Sequence, residues 1–455
     1  MTQVLNKYQR YLSDFRDYER GLPADGPAWV RRLREGALAA FTELGFPTAT
    51  RGNEEWKYTH VSPIADASFG YPFGPSLDRV TAAGLRRLVP ESRGWIRLVF
   101  VDGRYNEALS TSPLDTGGVR VANLRDAMLT DRELVEPHLA RYAPVAEDGF
   151  TALNTAFIHE GAFVHVPAGL TLKRPLHLVY FTSERPQPTV SYPRTLVVLE
   201  EGSAATVIES YVTLSAAPYF TNAVTEMVVG DGAALQHYRL LMESPTAFHM
   251  GIARVHQGRE STFNSTSYAR GAALARNDLH VFLDGPGSTC SLRGLYLTSG
   301  TQHMDNHISV DHVGTHTTSN QYFKGILAGS SRAVFSGRVR VHKDAQKSRA
   351  FQADKNLLLS EGAEVDTKPS LEIYADDVQC THGATAGAIA EEALFYMRSR
   401  GLDQEEATRF LIQGFAREIV DEIPLRPLRT YLERLTMGAL PTLQVALSPL
   451  PLGEG

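Results

Sequence analysis

Cysteine is almost missing: the 455 residues hold two, at positions 290 and 380. Two thiols cannot staple a fold, which excludes the small disulfide-framed secreted scaffolds. Long apolar runs are missing as well, and no stretch of about 18 apolar residues offers a membrane-spanning helix. The opening "MTQVLNKYQRYLSDFRDYER" is polar and does not read as a secretory leader. Neither sign of charge dominates: 45 basic residues face 51 acidic ones, for a net charge of -6. That balance lacks the electrostatic footprint of a nucleic-acid or anionic-membrane binder. Glycine-rich phosphate motifs are absent too: there is no G-x-x-x-x-G-K-[ST], and no G-x-G-x-x-G opens a helix after a strand. The expectation is a cytoplasmic chain that contacts no membrane and no nucleic acid and binds no ATP itself.

What is present divides into three parts: an N-terminal helical and mixed domain over residues 1–150, a β core over 151–382 and a C-terminal helical domain over 383–455. In "PAWVRRLREGALAAFTELGF" the residues Trp29, Leu33, Gly36, Ala37, Ala40, Phe41 and Leu44 share one helical face, with Gly45 as the stop. "WIRLVFVDGRYN" reads as strand, Asp-Gly turn, strand, and "NLRDAMLTDRELVEPHLARY" as one or two short helices. From 151 onward, short β-branched and aromatic runs alternate with turns at Glu160-Gly161, Glu201-Gly202, Asp231-Gly232, Asp284-Gly285, Gly329-Ser330 and Glu361-Gly362. These turns recur loosely, at steps of 30 to 53 residues. A β-solenoid, whose coils cannot bury their inner faces alone, accounts for so long a run better than a sandwich of half the length. After 383 helical spacing returns. One helix carries Leu394, Phe395 and Met397; a second opens with Asp403 and Glu406 at capping-box spacing and runs through Phe410, Leu411, Phe415 and Ile419. The pair is expected to form a helical hairpin on the end of the solenoid.

Three groups invite a chemical reading. His303, His307, His312 and His316 recur at steps of four and five, but in strand-like text only His303 and His307 share a face. Hydrogen-bonded histidines at solenoid corners explain them as well as a metal site does. The seven basic residues from Arg332 to Lys355 alternate with apolar ones and read as a solvated outer face. Cys290 reads as a small buried hydrophobe. Cys380 and His382, in "YADDVQCTHGATAG", are two residues apart, so on a strand their side chains face the same way, about 7 Å apart. Thiolate and imidazole both suit iron or zinc. A discrete cluster normally takes four protein ligands, so metal chemistry here requires a second chain. The other readings are a buried cysteine beside a capping histidine, and a thiol nucleophile, for which no orienting carboxylate is evident.

At these residues the chain resembles a known family. "QYFKGILAGSSRAVFSGRVRV", "AQKSRAFQADKNLLLSEGAEVDTKPSLEIYADDVQCTHGATAG" and "FYMRSRGLDQEEATRFLIQGFAREIVDEI" look like the signature block of the SufB/SufD scaffolds of iron-sulfur cluster assembly, and "RGNEEWKYTHVSPI" echoes their N-terminal segment. The resemblance implies a mainly β fold with α-helical ends, a right-handed parallel β-helix core flanked by N- and C-terminal helical domains. It implies a non-catalytic subunit that pairs with a SufB-like subunit through the β-helix. The C-terminal helices are expected to hold a SufC-like ABC ATPase, which accounts for the missing phosphate loop. Gly383 stands where SufB-like members carry Glu after the histidine, which points to the SufD branch. By resemblance His382 is a transient iron or cluster ligand at the shared interface, with Cys380 as a second candidate. The iron-sulfur cluster is transient cargo shared with SufB, and a flavin accompanies the complex in some members. The contrasting reading is a purely structural partner of SufB and SufC with no ligand of its own. A homodimer is expected of the isolated chain, because an unpartnered solenoid end tends to pair with itself.

Overall fold

The computed structural model describes residues 9–22, 26–47, 53–67, 69–74, 80–90, 94–111 and 117–444. Strands alternate between two sheets, each coil giving one strand to either, and build a parallel β-solenoid of about eight turns. In the first sheet Ala204–Thr213, Ala234–Met242, Thr262–Arg270, Thr289–Thr298, Thr318–Leu327, Arg349–Leu358 and Gln379–Gly387 pair in unbroken parallel register. In the second, Phe220–Val229, Phe248–Gln257, Leu274–Leu283, His303–His312, Arg332–Val341 and Glu364–Ile373 do the same. The partners Ala204, Ala234, Thr262, Thr289, Thr318, Arg349 and Gln379 follow one another at 27 to 31 residues, a tighter repeat than the turn glycines suggest.

Side chains alternate across each sheet, so every second residue stacks on its equivalent in the next coil. Met227, Val255, Val281, Val310 and Val339 form one such inward column, and Ala205, Leu235, Phe263 and Cys290 form another; all are buried. Cys290 therefore packs as the small hydrophobe its strand text implies, and burial pushes its thiol pKa up to about 12. Other inward columns are polar and hydrogen-bond to one another within the lumen. Glu209 accepts from Thr195 at 2.7 Å and contacts His237 Nε2 at 3.2 Å, and Gln352 Nε2 donates to Gln321 Oε1 at 2.9 Å.

The N-terminal region covers the second sheet and closes the first coils. Ile96–Val101 pairs parallel with Leu176–Thr182 and turns back at Asp102-Gly103 onto Arg104–Tyr105, as the Asp-Gly signal predicts. Three helices stand out here: α1 (Gln9–Gly21), α2 (Ala28–Leu44) and α3 (Gly149–Ala156). α2 buries Trp29, Val30, Ala37 and Phe41 and ends at Gly45, whose φ of 64° suits a residue without a side chain. Arg194, fully buried, donates to Glu226, which also accepts the backbone N–H groups of Ala140, Tyr142 and Ala143. That pair ties the segment before α3 to the sheet.

At the other end are α4 (Glu391–Ser399), α5 (Gln404–Val420) and α6 (Arg426–Gln444), one helix more than the expected hairpin. Asp403 caps α5, its Oδ1 accepting the Glu406 N–H at 2.8 Å. Ile412, Ala416, Ile419 and Val420 of α5 and Leu428 and Leu432 of α6 pack on Tyr238, Leu240, Tyr268, Leu295, Leu297 and Ile326 of the first sheet's outer face. Lys324 on that face reaches Glu418 Oε2 at 2.8 Å and lies 3.8 Å from the Phe415 ring centroid. None of the described helices is long and apolar enough to cross a membrane.

Candidate functional site

Among the described residues, the last coil leaves both sheets with an unpaired edge. Glu364–Ile373 pairs only with Arg332–Val341, and Gln379–Gly387 only with Arg349–Leu358. Between them the chain turns through Ala375, which is buried, while Lys347 clasps the turn by donating its backbone N–H to Asp377 O at 2.7 Å and its ammonium to the Asp377 carboxylate. This corner fixes the direction in which the final strand leaves.

Cys380 and His382 both lie on that strand, in register with Ala350 and Gln352. Ala350 and Gln352 are buried and inward, so Cys380 and His382 stack above them over the open mouth of the lumen. Their settings differ. Cys380 is half-buried against a cluster containing Val339, Val341, Ala345, Ala350 and Ala375, and burial raises its thiol pKa while the Ala350 N–H lowers it. His382 is exposed, with Gly383, Ala384 and Ala386 around it on the same strand. The pair thus presents one protonated thiol and one uncovered imidazole at an open end.

Two further features of this end bear on what can dock there. Glu364 donates its N–H to Ser331, so by alternation the odd-numbered residues of that strand turn their backbone groups to the open edge, and Pro369 is one of them. That strand also carries Glu364, Asp366, Lys368 and Glu372. Charge and proline are how natural edges are protected from pairing. The strand of Cys380 and His382 carries no charged residue and no proline. Gln379 donates its N–H inward to Ser348, which leaves the backbone groups of Cys380, His382, Ala384 and Ala386 facing outward.

The other histidines do not converge. His303 lies 3.1 Å from Thr59 Oγ1, His307 faces the N-terminal region, His312 is buried inward between Thr317 and Ser319, and His316 occupies a corner at φ 59°. No group of three metal-ligating side chains forms among the described residues. The basic run lies on the outer face as expected, with Arg332 paired to Asp366 and Arg340 to Glu372.

Sequence periodicity did not reveal what stands free on the C-terminal helices. Phe395 is 75 % exposed, Tyr396 58 % and Phe410 54 %, although amphipathic spacing suggested covered positions for the phenylalanines. Three large aromatics thus stand in water on two adjacent helices, an exposure of the kind that marks an interaction surface.

Comparison with known proteins agrees with this architecture. The SufBD core domain of the SUF system for FeS cluster assembly matches residues 180–415, and the SufBD protein N-terminal region matches residues 5–178. An iron-sulfur cluster assembly SufBD family protein of Synechocystis, slr0076, is 34 % identical over 407 residues, covering 87 % of this chain and 88 % of that one. The iron-sulfur cluster assembly protein SufD of Escherichia coli is 32 % identical over 395 residues, 85 % of this chain and 87 % of its own. The SufD of Bacillus subtilis is 25 % identical over 438 residues, 93 % and 96 % of the two chains. With a β-solenoid between helical ends and both halves of the chain matched, this protein belongs to the SufB/SufD family of iron-sulfur cluster assembly proteins.

Proposed function

We propose that this chain is the SufD-type subunit of a SufBCD complex, a non-catalytic scaffold that contributes His382 to a shared site for iron and the nascent cluster. The observation that carries the reading is the uncharged, one-sided strand Gln379–Gly387, which holds an exposed imidazole over the solenoid mouth. A SufB-like subunit adds its own edge there and supplies the remaining ligands, since one thiol and one imidazole fall short of the four that a cluster takes. Neutral imidazole is a softer hold than thiolate and lets cargo leave. Cys380 enters as a second ligand only when its proton is displaced, which its raised pKa opposes.

The exposed aromatics Phe395, Tyr396 and Phe410 suit the ABC ATPase, which provides the nucleotide chemistry of the complex.

The test is co-expression with SufB- and SufC-like partners, wild type and His382→Ala, with iron and sulfide measured after anaerobic purification. The variant complex should assemble with wild-type stoichiometry and lose cluster content by about tenfold or more, the range for losing a metal-site residue. A full complement of cluster in the variant would instead establish the purely structural partner.

A further inference from the structure

Away from the open end, a cavity of about 290 Å³ lies between the N-terminal region and the outer face of the second sheet. Its floor is one row of register partners, Arg254, His280, Ser309 and Arg338, on adjacent strands and therefore about 4.8 Å apart. Its apolar wall is Trp56, Phe150, Met250 and Ile252.

The charges around it are unequally spent. Asp278 accepts from Arg254 at 2.7 Å and from Arg276 at 3.4 Å. Arg276 further donates to Asp305 at 2.6 Å and to the Glu55 carbonyl at 2.8 Å, and lies 4.0 Å from the Trp56 ring centroid. Asp148 is consumed as the cap of α3, accepting from Phe150 and Thr151. Glu147 sits 3.9 Å from Arg254 with its side chain half in water, and Glu55 is exposed, so both belong to the rim. His280 is bound to Asp311.

Two floor groups are left over. Arg338 forms none of the ion pairs among the described residues and senses Asp311 only at longer range, and the Ser309 hydroxyl makes no hydrogen bond among them. Beside them, Arg254 Nε, Arg276 Nε and His307 Nδ1 are buried polar atoms with no hydrogen-bond partner among the described residues. Burying a donor without a partner is unfavourable, so these atoms favour a ligand that accepts from them. On the floor the unspent capacity is thus donors and one positive charge, while the carboxylates of Glu55 and Glu147 stand on the rim above it.

We propose that this cavity is a binding site for a small organic acid, whose carboxylate or phosphate is held by Arg338 and Ser309 and whose apolar body lies against Trp56, Phe150 and Ile252. An inorganic anion would leave most of the volume and all of the apolar wall unused, since the space approaches the lower end of small-molecule pockets. Because Trp56 comes from the N-terminal region and Arg338 from the solenoid, the ligand bridges the two and should stabilise the chain.

The test uses the purified full chain, wild type and the variants Arg338→Gln and Ser309→Ala, titrated calorimetrically and melted with phenylacetate, phenyl phosphate, inorganic phosphate and phenethylamine. Arg338 is only partly buried, so the variant should melt as wild type does without additive. The expected result is that an aromatic acid binds and raises the melting temperature of wild type. Arg338→Gln should weaken that binding by about tenfold or more, with a smaller loss in Ser309→Ala. Phenethylamine should do nothing, and inorganic phosphate should bind more weakly than phenyl phosphate. The idea is overturned if neither aromatic acid binds, which would make this a water-filled cavity, if the amine binds instead, or if the acids bind Arg338→Gln as tightly as wild type.

Discussion

Cys290 and Cys380 place one kind of side chain in two environments, and the chemistry differs accordingly. Cys290 is fully enclosed in the lumen, with its pKa near 12, whereas Cys380 is partly open at the mouth. In native protein a disulfide reagent should therefore titrate one thiol per chain, removed by Cys380→Ser, and two in denaturant. The native reaction should accelerate as pH rises beyond the ordinary thiol range near 8.5, because burial raises the Cys380 pKa. Two fast native thiols would contradict this placement. Asp354 lies inward one strand below Ala384, and burial, only partly offset by hydrogen bonds with Asn356 and Tyr296, pushes its pKa up to about 7. The folded state then holds a proton that the unfolded chain, with a pKa of about 3.9, releases. Its contribution to stability is full below about pH 4 and is lost as pH rises to 7, by an upper bound on the order of 4 kcal/mol. Urea midpoints at pH 5 and pH 8 should thus shift in favour of Asp354→Asn relative to wild type; an unchanged difference would mean that Asp354 is ionised throughout. Alternation made the burial of Cys290 legible in the sequence. The exposure of His382 was not legible, because it depends on the absence of a further coil above it.

At the scale of the element, the coil repeat is written in the corners, but not by glycine alone. One corner adopts positive φ at Gly202, Gly232, Glu260, Gly287, His316 and Lys347 in successive coils, and glycine fills only half of these. The opposite corner turns at Ala272, Gly300 and Gly329. Counting acidic-glycine turns mixes the two corners and skips the coils whose turn is made by another residue, which is why the sequence recurrence looks loose while the register is regular. The backbone conformation is demanded by the coil whatever the residue, so the two kinds of corner should respond oppositely to substitution. A Cβ on Gly232 would meet nothing closer than 3.9 Å, so Gly232→Ala isolates the backbone cost and should destabilise by about 1–2 kcal/mol. Glu260→Gly relieves that strain but adds freedom to the unfolded chain, for a net change between zero and about 1 kcal/mol of stabilisation. Denaturant melts decide it, and a strongly destabilised Glu260→Gly would show that its side chain matters. The C-terminal helices teach the complementary lesson. Spacing located α4, α5 and the Asp403 cap but not α6, and it could not say that the sheet takes Ile412, Ala416 and Ile419 while Phe395 and Phe410 are left in water.

Across the whole molecule, the two solenoid edges are treated so differently that the chain carries its own instruction for assembly. The Glu364–Ile373 edge has four charges and Pro369, whose missing N–H falls on the open side, and so resists a new strand. The Gln379–Gly387 edge has small and uncharged residues, and its outward backbone groups remain available. An unprotected parallel edge on a rigid stack of coils is a template for another chain, and without a SufB-like partner the nearest match is a second copy. Light scattering on the isolated chain should therefore show a concentration-dependent dimer. Ala384→Pro should shift it to monomer while leaving the fold intact, because the Ala384 N–H faces the open side and takes no part in the ladder to Arg349–Leu358. Gly232→Ala, at a corner remote from the edge, should leave the dimer unchanged. The same Ala384→Pro chain should fail to capture a SufB-like subunit but still hold the ATPase, since Phe395 and Phe410 are untouched. A variant that still dimerises and still captures SufB would move the interface off this strand, and His382 would lose its place in a shared site.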